Sequence, residues 1–205
     1  MNQGIDKISI FDIAESQQGF FTAQQAKSVG ITDNNHCYHV RKGNWIREWR
    51  GIYRLKNYPF QEDAQYALWG VWSMNRKGEI LGVYSHETAL SMFNLSDVNP
   101  VKLHMTVPRG FRRHSKISDV LKLHYSKIVF SEYEDRGGYK VTKPFRTIID
   151  VIRNGTLSNE LIIQAVKEGI QSGLLTHKQY SDLKKMPHIG KVLCEIMGEK
   201  SEINK

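Results

Sequence analysis

Apolar residues in this chain fall in short clusters separated by glycine and polar breaks, with no run near the ~18 residues of a membrane span. Ile8, Ile10, Phe11 and Ile13, with Ala14 beside them, predict a helix over residues 6–16, stopped by Gly19. Thr22 and Gln25 have the spacing of a capping box, so a short helix is expected over residues 23–29, ending at Gly30. Thr32 caps a third helix that runs to Lys42 ahead of Gly43. Residues 44–49 and 52–55 are rich in Trp, Ile and Tyr, and Arg50-Gly51 lies between them. That pattern is a two-stranded hairpin whose turn uses glycine's freedom.

Pro59 cannot donate a ladder hydrogen bond and biases Tyr58 away from helix, so a connection is expected there. Beyond it, helices are predicted over residues 62–75, 86–93, 144–153, 159–171, 177–186 and 189–197. Pro144 suits a first helical turn, and Thr176 with Gln179 forms a second capping box. Strands are predicted over 102–107, 121–125, 128–133 and 139–141, the last two joined by the charged, glycine-rich turn at 134–138. The expected class is α+β: an N-terminal winged helix-turn-helix over residues 1–58, followed by a mixed α/β domain over residues 59–205.

Composition narrows the class of protein. At 40% hydrophobic and 24% charged residues the chain reads as folded, with only the tail from Lys200 expected to be loose. Cys37 and Cys194 are too few for a CxxC…CxxC zinc site and make a poor disulfide framework, which fits a reducing compartment. The first residues show no basic stretch followed by an apolar core, so a cytoplasmic protein with no membrane association is expected. The net charge of +8 favours polyanionic partners, because each phosphate contact releases condensed counterions.

That charge is concentrated in two places. Between Arg41 and Lys56 six cations face one glutamate. In the third helix Cys37 and Val40, three apart, are expected to face inward with Ile31. This leaves Asn34, Asn35, Tyr38, Arg41 and Lys42 outward, with His36 and His39 at the margins. Asn pairs bidentately with adenine and Arg with guanine, so this face has base-reading chemistry. Thr22, Thr32 and Lys42 are placed for phosphates, and Arg47, Arg50 and Arg54 make the hairpin basic, Arg50 at its tip. Trp45 and Trp49 are expected to pack the hairpin onto the helices, and Cys37 to be a core residue. The second basic surface lies between residues 102 and 127, with Lys102, Arg109, Arg112, Arg113 and Lys116 prominent and His104, His114 and His124 interspersed. It suits DNA, RNA or an acidic protein.

No catalytic residue, cofactor or metal ligand is expected. HExxH, GxSxG and GxxxxGK[ST] do not occur. Ser85-His86-Glu87 reads as an N-cap and first turn, where neighbouring residues do not face each other as a nucleophile–base pair. Glu132, Glu134 and Asp135 with Lys140 read as a charged hairpin tip.

Several blocks together resemble the AbiEi-type antitoxins, also described as predicted transcriptional regulators of viral defence systems. They are residues 19–26 (GFFTAQQA), 30–31, 40–46 (VRKGNWI) and 50–54 (RGIYR) in the first part. In the second they are 84–90 (YSHETAL), 93–95, 103–108 (LHMTVP) and 141–150 (VTKPFRTIID). The resemblance implies a winged-helix domain followed by an α/β antitoxin domain. It implies repression of the protein's own operon through inverted repeats in double-stranded DNA. It also implies a type IV toxin–antitoxin system for antiviral defence, whose nucleotidyltransferase-like toxin is counteracted without a tight complex. The rival readings are a protein- or RNA-interaction module that engages the toxin or its substrate directly, and a defence nuclease.

Overall fold

The computed structural model describes residues 8–59, 61–113 and 116–198. The predicted helix start at Asp6, His114 and the tail from Lys200 lie outside the described residues. The chain is mixed α+β and divides into two compact units, residues 1–82 with 135–140 and residues 83–134 with 141–205. The boundary expected at residue 58 therefore moves to Gly82. The physical reason is aromatic: helix α4 (Ala64–Trp72) sets Trp69 edge-on to Trp49 at 5.1 Å, which ties it to the first unit.

Unit 1 runs α1 (Ile10–Glu15), β1 (Phe20–Thr22), α2 (Ala23–Ser28), α3 (Asp33–Arg41), β2 (Trp45–Trp49), β3 (Ile52–Leu55) and α4. Ser9 and Asp12 form a capping box that starts α1 later than the apolar cluster suggested. The Thr22–Gln25 box opens α2 as expected. The strands form an antiparallel sheet in the order β1-β3-β2, with a bulge between Arg47 and Trp49 and Gly51 at φ +72° in the turn. β1 was not expected. Ile10, Ala14, Phe21, Ala26, Trp45, Tyr53 and Leu55 make the core that carries α3 and the hairpin.

Unit 2 contains β4 (Val83–Tyr84), α5 (His86–Met92), β5 (Leu103–Val107), β6 (Leu121–Tyr125), most of β7 (Tyr133–Asp135) and β8 (Lys140–Thr142), then α6 (Pro144–Asn154), α7 (Asn159–Gln171), α8 (His177–Lys185) and α9 (Pro187–Met197). The five strands lie in the order β6-β5-β4-β8-β7. β5 pairs parallel with β6 and antiparallel with β4, and β4 pairs parallel with β8. α6 to α9 bury Ile148, Val151, Ile162, Val166, Leu183 and Leu193 with Leu90 and Leu95. Pro144 stands in the first turn of α6, and Gly155 closes it at φ +65°. One expected strand is replaced: residues 130–132 form a 3-10 turn, because Glu132 accepts from the Val129 N–H at 2.9 Å and pairs with Arg146. Among the described residues no helix is long and apolar enough to cross a membrane.

Candidate functional site

On α3, Asn34, Tyr38 and Arg41 are spaced four and three apart, and Asn35, Tyr38 and Lys42 three and four apart. At 3.6 residues per turn all five share one side, and all five are exposed. The Lys42 ammonium lies 6.0 Å from the Tyr38 ring centre, a loose contact that keeps the charge at the surface. Thr32 caps the helix without a side-chain bond, so its exposed hydroxyl is not spent on the cap.

The buried side of α3 differs from the expected one. His36 is only 4% exposed, its ring 5.6 Å from Trp45 and 5.5 Å from Tyr53, with Nε2 3.2 Å from the Ile31 carbonyl. Cys37, expected in the core, is exposed. The helix is rotated so that positions 36 and 40 point inward, because an imidazole fills the aromatic gap that a thiol would leave open. His39 stacks on Trp45 at 4.5 Å. Trp45 is thus buried between helix and sheet, as its position in the hairpin suggested.

On the hairpin Arg47 and Arg50 are exposed, and among the described residues neither they nor Arg41 and Lys42 form an ion pair. Two expected contacts are spent internally. Arg54 donates from Nε to Glu48 Oε1 at 2.7 Å, which neutralises it within the hairpin. The Thr22 hydroxyl accepts from the Gln25 N–H at 3.1 Å and donates to Gln25 Oε1 at 3.2 Å, closing its capping box. The face that remains is Thr32, Asn34, Asn35, Tyr38, Arg41 and Lys42 with Arg47 and Arg50.

In unit 2, Lys102, Arg109, Arg112, Arg113 and Lys116 are all exposed. Lys116 pairs with Asp119 at 3.3 Å, and the Arg113 guanidinium lies 5.9 Å from the Phe111 ring. Glu132 is held by Arg146 at 2.8 Å, Asp135 caps the Gly137 N–H, and Lys140 Nζ donates to the Ile80 carbonyl.

Unit 2 also holds a cluster that the sequence reading missed. In the parallel β5/β6 register His104 faces Lys122 and Thr106 faces His124, so by the period of two these four side chains share one face. Ser85 Oγ lies 2.7 Å from Thr106 Oγ1 and 2.9 Å from His86 Nδ1. The His86 ring stacks on His124 at 3.6 Å, and His124 Nε2 is 3.3 Å from His104 Nδ1. Glu87 Oε2 is 2.5 Å from the same His104 nitrogen, while Glu87 Oε1 accepts from Thr156 at 3.2 Å. Ser85, His86, Glu87, His104 and Thr106 are buried. Burial, with the neighbouring His124, pushes His86 down to about 3, and burial with His104 pushes His124 down to about 4. Burial works against ionised Glu87, but the hydrogen bond from His104, a backbone hydrogen bond and the charges of His104 and His86 together outweigh it and bring the carboxyl down to about 2.

Ser85 and His86 therefore do meet, contrary to the helical geometry assumed from sequence. Ser85 is fully extended, and His86 sits at φ +53°, a left-handed conformation uncommon outside glycine. The hydroxyl is buried against Thr106, and burial with the neighbouring His124 holds the His86 imidazole well below the ordinary histidine range. Histidines 86, 104 and 124 are scattered through the chain. The available signal was polar alternation within two short strands, LHMTV and LKLHY.

No protein-family model matches the chain, and no curated protein does either.

Proposed function

We propose that this protein is a DNA-binding transcriptional autorepressor and the non-catalytic antitoxin of a type IV, AbiE-like defence system, acting in the cytoplasm. The carrying observation is the exposed α3 face of Asn34, Asn35, Tyr38, Arg41 and Lys42, with the unpaired cations Arg47 and Arg50 on the β2–β3 hairpin. The order helix, strand, helix, helix, strand, strand in unit 1 supports reading it as a winged helix-turn-helix. In that reading α3 enters the major groove, Asn and Arg read base edges, and Arg50 on the wing grips a phosphate or a minor groove. The antitoxin role rests on the AbiEi-like residue blocks. It implies an operator of inverted repeats and a nucleotidyltransferase-like toxin counteracted without a tight complex. The exposed cations of unit 2 then serve antitoxicity or additional DNA contacts.

A gel shift on the DNA upstream of the gene tests the interface. Arg41→Ala and Arg50→Ala are each expected to weaken binding, Arg41→Ala by about 1–3 kcal/mol for a lost base contact. Parent-like binding by both variants at physiological salt would show that the surface is wrongly assigned.

A second reading has one specific observation behind it. Beside α3 lies a cleft of about 380 Å³ lined by Ile10, Phe11, Ile31, Trp45 and Tyr58, with Phe11 66% exposed. Such an apolar cleft suits a protein partner. Co-purification of the neighbouring gene product, together with no DNA shift, would favour it.

A further inference from the structure

We propose that unit 2 binds one divalent transition-metal ion, best matched by zinc, through His86, His104 and His124. This stands apart from the DNA-binding reading, since it uses neither α3 nor the hairpin.

One ring nitrogen from each histidine lies within 4.8 Å of the other two. Two imidazole nitrogens bound to one tetrahedral zinc stand about 3.3 Å apart, given Zn–N bonds of about 2.0–2.1 Å. The pair His104 Nδ1 and His124 Nε2 already has that spacing, at 3.3 Å. His86 Nδ1 is engaged by Ser85 Oγ, which leaves Nε2 as its coordinating atom. A turn of the stacked His86 ring off His124 then closes the set.

The surroundings are those of a ligand shell. With Nε2 on the metal, the His86 Nδ1–H donates to Ser85 Oγ, whose own hydroxyl donates to Thr106 Oγ1 at 2.7 Å, a hydrogen-bond chain that orients the ring. The backbone supports it, with the Ser85 N–H donating to the His104 carbonyl and the His104 N–H to Thr88 Oγ1. Glu87 places a carboxylate 2.5 Å from His104 Nδ1, where it accepts the proton of the metal-free ring and balances charge when the ion displaces that proton. The left-handed backbone at His86, uncommon outside glycine, is strain kept at the residue whose ring is held by Ser85. Imidazole donors suit zinc, copper, nickel and iron rather than magnesium or calcium. Three protein ligands leave a fourth position for water, and half-buried His124 provides the way in. Three imidazoles packed merely to fill space would need neither the carboxylate nor the hydroxyl chain.

The test uses the full chain, stripped with a chelator and titrated with zinc by calorimetry and with cobalt by visible absorption. Cys37→Ser is the background, because that thiol is exposed. The expected result is one ion per chain, four-coordinate cobalt bands, and a thermal midpoint that rises with zinc. Glu87→Gln, which removes the negative charge beside the ion while keeping the side chain's shape, should weaken affinity by at least about tenfold. His124→Phe keeps a ring stacked on His86 and should lose more than that. Should His124→Phe fail to fold by circular dichroism, Glu87→Gln alone decides. A stripped parent that takes up no cobalt, or binding unchanged in these variants, overturns the proposal.

Discussion

Arg146 is 7% exposed, with Nε donating to Asp150 at 2.9 Å and a terminal nitrogen 2.8 Å from Glu132. Burial raises the Asp150 carboxyl although Arg146 pulls it down. Removing the cation would strand that carboxylate, so Arg146→Ala should destabilise the chain by about 3–5 kcal/mol in urea unfolding. A loss under about 1 kcal/mol would mean the network relaxes around the gap. The histidines give a second expectation at this scale, for the metal-free chain. His86 and His124 are held at about 3 and about 4 against an ordinary 6.5, so the unfolded chain takes up protons that the folded one refuses. The stability concerned is complete above about pH 6.5 and is lost as pH falls toward those values. Glu87, His104 and Lys122 are the other ionisable groups facing them. The urea midpoint should drop between about pH 7.5 and about pH 5, above the carboxylate range, and less so in His124→Phe. A midpoint that rises on acidification would contradict the buried, uncharged rings.

Gly70, in the middle of α4, has room for nothing else: a Cβ there would stand 2.2 Å from the Gly138 carbonyl oxygen and 3.0 Å from Tyr139. Gly70→Ala should improve helix propensity locally yet destabilise unit 1 by about 1–3 kcal/mol, because backbone rather than a flexible side chain must move. A higher thermal midpoint would show that the loop yields freely. Elements like α4 are legible in the sequence. α7 matches its expected bounds, and α2, α3, α8 and both hairpin strands match within a residue or two, since caps, glycines and proline act locally. What misread was governed from afar. β1 is three residues long, too short to show alternation, and exists because β3 pairs with it. Residues 128–133 are apolar enough for a strand, but Glu132 turns back to Val129 and out to Arg146. The outward face of α3 was read correctly, while Cys37 and His36 exchanged places.

The two units interleave in sequence, because residues 135–140 return to the first. Tyr139 is 1% exposed there and donates its hydroxyl to Asp63 at 2.8 Å; burial and that contact push it up to about 12. A chain ending at Gly82 should therefore be less stable in its first unit by about 3–5 kcal/mol, as for deletion of a buried aromatic. Hydrogen exchange of the α4 amides would reveal it, and equal protection in the shortened and full chains would refute it. Sequence alone determined the limits of α2, α3, α7 and α8, the basic hairpin and the polar ridge of α3, because caps, turns and helical period act over a few residues. The tertiary structure decided which histidine of α3 fills the aromatic core, where the first unit ends, and that His86, His104 and His124 meet. Those outcomes depend on strand register and long-range packing, and residues about twenty positions apart leave no periodic trace of their meeting in the chain.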